Sequence, residues 1–255
     1  MQSLNDSSCP VPDEAVKSPP DPRLTPAADA RHMMRVAGRA ALATLDRASG
    51  YPYASLVAMA TEPDGAPILL LSRLALHTQN LEADSRASLL VDTGVRRGDP
   101  LAAGRVTLIG RLGPADSDTA ERRFLAAHPN AAGYASFADF RFFVLQLERA
   151  HYVGGFGRIS SLPASDLLLD VSRAAALIAA EPELAAAINQ NQSAAVAELG
   201  ARLSCGHVGP WRLTGLDPAG CDLVLADERL RCTFSAPVTD VGEARRALSE
   251  LLEPG

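Results

Sequence analysis

The chain has 255 residues, 47% of them hydrophobic and 21% charged, with a formal net charge of −6. That length buries one large core or two modest ones. The acidic balance excludes a broad nucleic-acid footprint, which needs a cationic face to displace counterions, but leaves room for a basic pocket around one phosphate.

Residues 1 to about 25 hold Pro10, Pro12, Pro19, Pro20 and Pro22 among Ser, Asp and Asn. So little apolar surface cannot offset the ordering entropy, and this segment reads as a disordered tail. Its first residues, MQSLNDSSCPVP, lack the basic and apolar regions of a signal peptide. No uncharged apolar run along the chain reaches bilayer length, so a cytoplasmic protein with no membrane or nucleic-acid partner is expected. Thr25-Pro26 then pairs an N-cap with proline at the first helical position, predicting a helix through Met33, Met34 and Val36.

A strand-rich block follows. Ala41–Leu45 and Tyr51–Ala60 read as strands, and Glu62-Pro63-Asp64-Gly65 as a hairpin turn into Ile68–Ser72. Leu74–Asp84 has helical spacing, and Ala87–Asp92 and Arg105–Leu112 are further strands. Asp118 to Glu121 has capping-box spacing for a helix that Pro129 ends. Arg141–Leu147 and His151–Val153 supply the last strand material, and Gly154-Gly155-Phe156-Gly157 reads as a flexible exit. Antiparallel hairpins with few helices between them predict a closed barrel.

Beyond Ser165, Val171–Ala180 and Pro182–Leu199 are alanine-rich helical stretches. Trp211–Leu216, Asp222–Ala226 and Leu230–Phe234 are strands, and Val241–Leu252 is a final helix. The expected division is a tail (1–25), a barrel domain (26–163) and a small C-terminal α/β domain (164–255).

Ser72 and Arg73 sit at a strand end, with His77, Thr78 and Asn80 on the helical turns that follow. Hydroxyls, an imidazole, a guanidinium and free N–H groups at a helix start all donate to phosphate oxygens. The alternative for these residues is a solvated connection. Elsewhere, His128 before Pro129 suits a helix C-terminus as a cation, and His151 reads as a packed or hydrogen-bonded residue. Cys205, His207, Cys221 and Cys232 have the count but not the spacing of a zinc site. The glycine run lacks the strand and helix context of a dinucleotide fingerprint.

Five segments in order carry a resemblance: YPYASLVAMA (51–60), LLLSRLALHTQNLEADSRASLL (69–90), GDPL with RVTLIG (98–110), HPNAAGYASFADF (128–140) and HYVGGFGRI (151–159). Together they resemble the pyridoxamine 5'-phosphate oxidase-like FMN-binding split barrels, closest to the haem-utilisation (HugZ-type) branch with its small C-terminal domain. The resemblance implies an α+β fold, a split β-barrel followed by that α/β unit. It also implies a homodimer with the flavin at the subunit interface. Tyr53, Ser55 and the strand around them would lie along the flavin. Leu71, Ser72, Arg73, His77, Thr78 and Asn80 would hold its phosphate, and Arg105 would reach it from a neighbouring strand. Arg73 and Arg105 are equally consistent with surface charge.

Two departures matter. The barrel runs into GGFGRI rather than the tryptophan-containing, arginine-rich ending that grips pyridoxamine phosphate, which removes the support for that substrate. On the second C-terminal helix, where relatives carry a Met-Asn-acid-Asp-His run, this chain has Ile188-Asn189-Gln190-Asn191-Gln192. Glutamine is a poor iron ligand, so a role resting on that histidine is lost. Three functions are therefore expected: an FMN-dependent oxidoreductase with no assignable catalytic group; a haem-binding or haem-degrading protein, with His32, His128, His151 or His207 as ligand; or a non-catalytic dimeric ligand-sensing module.

Overall fold

The computed structural model describes residues 25–92, 103–115, 117–155, 158–204 and 206–253. Apart from Thr25 the expected tail lies outside these, as do the GDPL segment, Phe156, Gly157, Cys9 and Cys205. Helix α1 (Pro26–Val36) starts as expected, with Thr25 Oγ1 accepting from the Ala28 N–H at 3.2 Å.

Strands β1 (Arg39–Leu45), β2 (Pro52–Ala58), β3 (Ala60–Thr61), β4 (Pro67–Ser72), β5 (Arg86–Asp92), β6 (Gly104–Pro114), β7 (Phe140–Gly154) and β8 (Ile159–Pro163) form one antiparallel sheet. Its order is β2-β1-β5-β6-β7-β4-β3, with β8 added on β7. The two ends of that order, β2 and β3, are one stretch of chain interrupted only at Met59, so the sheet closes on itself. Closure is incomplete. Along β4, β7 pairs with Ile68 through Ser72, whereas β3 pairs only with Pro67 and Ile68. The edge of Leu69–Ser72 therefore has no strand partner on the β2 side, and this slot is the split in the barrel.

Alternation decides what fills the interior. Leu42, Leu89, Val91, Val106, Leu108, Leu145 and Tyr152 point inward with Met33 and Met34 of α1 to form one core. Tyr152 donates to an Asp29 carboxylate oxygen, and burial together with Asp29 pushes its phenol up to about 12. Gly110 lies where the β6–β7 register shifts, and a Cβ there would strike the Gln146 carbonyl.

The chain order departs from expectation in four places. The material from Arg141 to Val153 is one long strand. It turns at Gly155, whose φ of 95° is left-handed, and pairs antiparallel with β8, so the chain returns to the barrel here rather than leaving it. Helix α3 (Asp118–Ala127) is preceded by Ser117, with no side-chain cap bond in place of the expected capping box. After helices α2 (Leu76–Ala83) and α4 (Ala164–Leu167), Pro182 does not separate two helices but lies inside α5 (Ala175–Asn191). The break comes at Gln192, before α6 (Ser193–Leu203). Leu177, Glu181, Leu184 and Ile188 form one buried face across the proline, so tertiary packing outweighs its local cost.

Strands β9 (Arg212–Asp217), β10 (Gly220–Leu225) and β11 (Glu228–Thr233) make a second sheet that packs with α5, α6 and α7 (Val241–Leu252) around Trp211. A buried charge network joins the two cores. Glu181 pairs with Arg123 and, at 2.8 Å, with Arg122, and it accepts from the Leu216 N–H. Asp217 lies between Arg35 at 3.2 Å and Arg231 at 2.7 Å. These guanidiniums hold the buried Asp217 carboxyl below the usual carboxylate range against the opposing effect of burial.

Candidate functional site

The sheet register sorts the expected site residues into three places. Tyr53, Ser55 and Val57 alternate on the inward face of β2, and Ser55 pairs with Leu42, which pairs with Leu89, itself opposite Leu108. Helix α2 lies beside this row. His77 Nδ1 is 3.1 Å from Ser55 Oγ, and burial holds the imidazole below its ordinary pKa. Thr78 is fully buried, and its hydroxyl has no hydrogen-bond partner among the described residues. Ser55, His77 and Thr78 thus come together next to the slot between β2 and β4.

The other expected residues do different work. Asn80 is buried with its amide occupied: Nδ2 donates to Thr44 Oγ1 at 3.1 Å and Oδ1 accepts from the Arg47 N–H at 3.0 Å. It ties α2 to β1. Ser72 Oγ donates to Asp139 at 2.6 Å and accepts from the Leu74 N–H. Leu71 is a barrel core residue. Arg73 is exposed and lines clefts on the other side of α2, away from His77.

Arg105 sits three residues from Leu108 on β6, opposite Asp92 and Val153. An odd separation on a strand puts it on the outer sheet face, across the sheet from Ser55. The signal was in the sequence: Val106 and Leu108 are the apolar positions of RVTLIG, so Arg105 and Thr107 alternate away from them.

That outer face carries a further group of residues. Leu56, Ala41, Leu90, Thr107 and His151 form one row across five strands. Leu56 is 71% and Leu90 40% exposed, and Ile159 of β8 adds a further exposed side chain at 64%. The exposed His151 takes part in no side-chain hydrogen bond or ion pair among the described residues. Arg105 flanks it in the next row on one side and Arg149 on the other.

The remaining histidines are differently placed. His128 Nε2 donates to the Met59 carbonyl at 2.8 Å, while Nδ1 faces Arg229 at 3.2 Å. Burial lowers its pKa, so it is a neutral packing residue rather than a cation at a helix end. His207 pairs with Glu228 at 2.7 Å. His32 is exposed on α1. Cys221 and Cys232 are buried free thiols opposite each other on β10 and β11.

The model of the family described as "CREG, beta-barrel" matches residues 21–168, more than half of the chain. The chain belongs to the CREG beta-barrel family. Its barrel is the pyridoxamine 5'-phosphate oxidase-like split barrel that the ordered segments implied. The chloroplastic haem oxygenase HOZ of Arabidopsis thaliana is 33% identical over 137 residues, which are 52% of this chain and 41% of that protein. The chain thus spans less than half the length of this relative. Among solved structures, the protein Atu2129 of unknown function from Agrobacterium tumefaciens is 32% identical. It aligns over 91% of this chain and 100% of its own with a TM-score of 0.78. A haem-binding protein from Mycobacterium smegmatis is 28% identical over 90% of this chain and 97% of its own, with a TM-score of 0.54. No helix of this CREG-type chain, among the described residues, is long and apolar enough to cross a membrane.

Proposed function

We propose that this chain binds haem against the outer face of its split barrel (residues 26–163), with a second copy closing over it. The observation that carries the reading is His151: an exposed imidazole in a row of exposed apolar side chains, flanked by Arg105 and Arg149. Haem asks for that combination, an apolar bed, an imidazole for iron and cations for two carboxylates. In this reading His151 would ligate iron, Leu90 and Ile159 would bed the ring, the arginines would pair with the carboxylates, and Leu56, farther along the row, would pack on the second copy. The bound iron supplies oxygen and electron chemistry, and the protein supplies orientation and exclusion of water. The names of the Arabidopsis and Mycobacterium relatives support the ligand class. The exposed apolar face supports the homodimer, because patches of this kind mark interaction surfaces.

The test is a haem titration of the purified chain. A Soret shift that His151→Ala abolishes, with the melting temperature unchanged, supports the assignment. A shift equally strong in the variant rejects it.

A second reading, FMN binding with oxidoreductase chemistry, rests on Thr78. An orphaned buried hydroxyl beside His77, at the start of α2, fits a phosphate. Ser55, His77 and Thr78 would hold FMN, and the free β4 edge would meet the ring. The cofactor would supply hydride chemistry. Quenching of FMN fluorescence that is lost in Thr78→Val and kept in His151→Ala supports this reading, and absence of quenching in the parent chain removes it.

A further inference from the structure

The geometry points to a separate binding site for a small organic anion with an apolar ring, in the cleft between α2 and strands β6 and β7. The cleft has a volume of about 390 Å³, inside the range of roughly 300–1,000 Å³ that small-molecule sites occupy. Its floor is apolar: Leu81, Leu112 and Phe143 are each buried to 6% exposure or less. Around that floor stand the guanidinium-bearing residues Arg73, Arg111 and Arg141.

The charge arrangement is what calls for a ligand. Arg111 is held by Ser85 Oγ at 3.3 Å and by Glu148 at 3.7 Å. The Arg73 and Arg141 side chains make no hydrogen bond or ion pair among the described residues. Glu82 lines the same cleft yet forms no ion pair with either of them. In a chain of net charge −6, three arginines against two carboxylates, Glu82 in the lining and Glu148 on Arg111, leave a small local positive excess around one apolar floor. Arg73 and Arg141 are the two cations of the cleft with no side-chain partner among the described residues, and an anion would engage them. Guanidinium forks match carboxylate oxygens in bidentate fashion, and the leucine and phenylalanine floor takes a ring. The ligand class is thus an aromatic or alicyclic carboxylate, and the site is independent of the haem and flavin readings because it shares no residue with His151, Ser55 or Thr78.

The experiment is calorimetric titration of the full chain with 2-naphthoate and with its neutral analogue 2-naphthamide. The proposal expects naphthoate to bind, the amide to bind about tenfold more weakly or not at all, and high salt to weaken the acid. Arg73→Gln and Arg141→Gln are exposed changes that break no side-chain hydrogen bond or ion pair among the described residues, and each is expected to weaken naphthoate by about tenfold. Equal affinity for acid and amide overturns the proposal. So does affinity unchanged in both variants, or binding lost in His151→Ala and retained in the arginine variants.

Discussion

Thr78 presents a buried hydroxyl with nothing to bond to, and such a group costs about 1–3 kcal/mol. Thr78→Val keeps the shape and removes the orphan. It is therefore expected to leave the free protein's stability unchanged or raise it by about 1 kcal/mol, read as a shift in urea midpoint. Two histidines, His77 and His128, have their pKa lowered chiefly by burial. Because the unfolded chain binds protons first, their contribution to stability is complete above about pH 6.5 and is lost as pH falls towards the folded values. Urea midpoints measured from pH 8 to pH 5 should fall across that window, and a flat profile would contradict the burial. At this scale the sequence was only partly legible. The contact of His77 with Ser55 joins residues far apart in the chain, and only the family pattern brought them to one site. The family pattern puts Arg105 and Arg73 at that site, whereas strand register and loop direction turn them elsewhere. Asn80 resembles a ligand in sequence, and its bonds to Thr44 and the Arg47 backbone depend on how α2 docks on β1.

Strands were easier to read than helix boundaries. Apolar alternation located six barrel strands, because one face of each must be buried. The return strand β8 has no such signal: ISSLP is short and follows a glycine run that reads as an exit, and its pairing with β7 depends on the turn at Gly155. Local propensity splits helix α5 at Pro182, whereas the buried face on both sides of the proline holds the helix together. Pro182→Ala should then stabilise the protein by roughly 1–3 kcal/mol by restoring a backbone hydrogen bond. An unchanged or lower melting temperature would mean that the proline fits its site.

In the whole molecule two cores meet through buried ions. Removing Glu181, which is 1% exposed, takes from Arg123 its buried carboxylate partner, leaving it the Thr61 and Leu216 carbonyls and Asp222, and strips the Leu216 N–H of its side-chain acceptor. Glu181→Ala should cost about 3–5 kcal/mol in denaturant unfolding, far more than a surface acid such as Glu250. The network was invisible in the sequence, since its members come from α1, α3, α5, β9, β10 and β11, and only the docking of the two cores assembles them. On the outer barrel face, Leu56→Glu with Leu90→Glu should convert a dimer to a monomer in sedimentation, and a parent chain already monomeric would remove the role given to the second copy.

Haem at His151 is tested most directly by a haem titration followed by absorption. Saturable binding with a shifted Soret band is expected in the parent chain, lost in His151→Ala and preserved in His77→Ala. A band that persists in His151→Ala, or no shift in the parent chain at all, would contradict it.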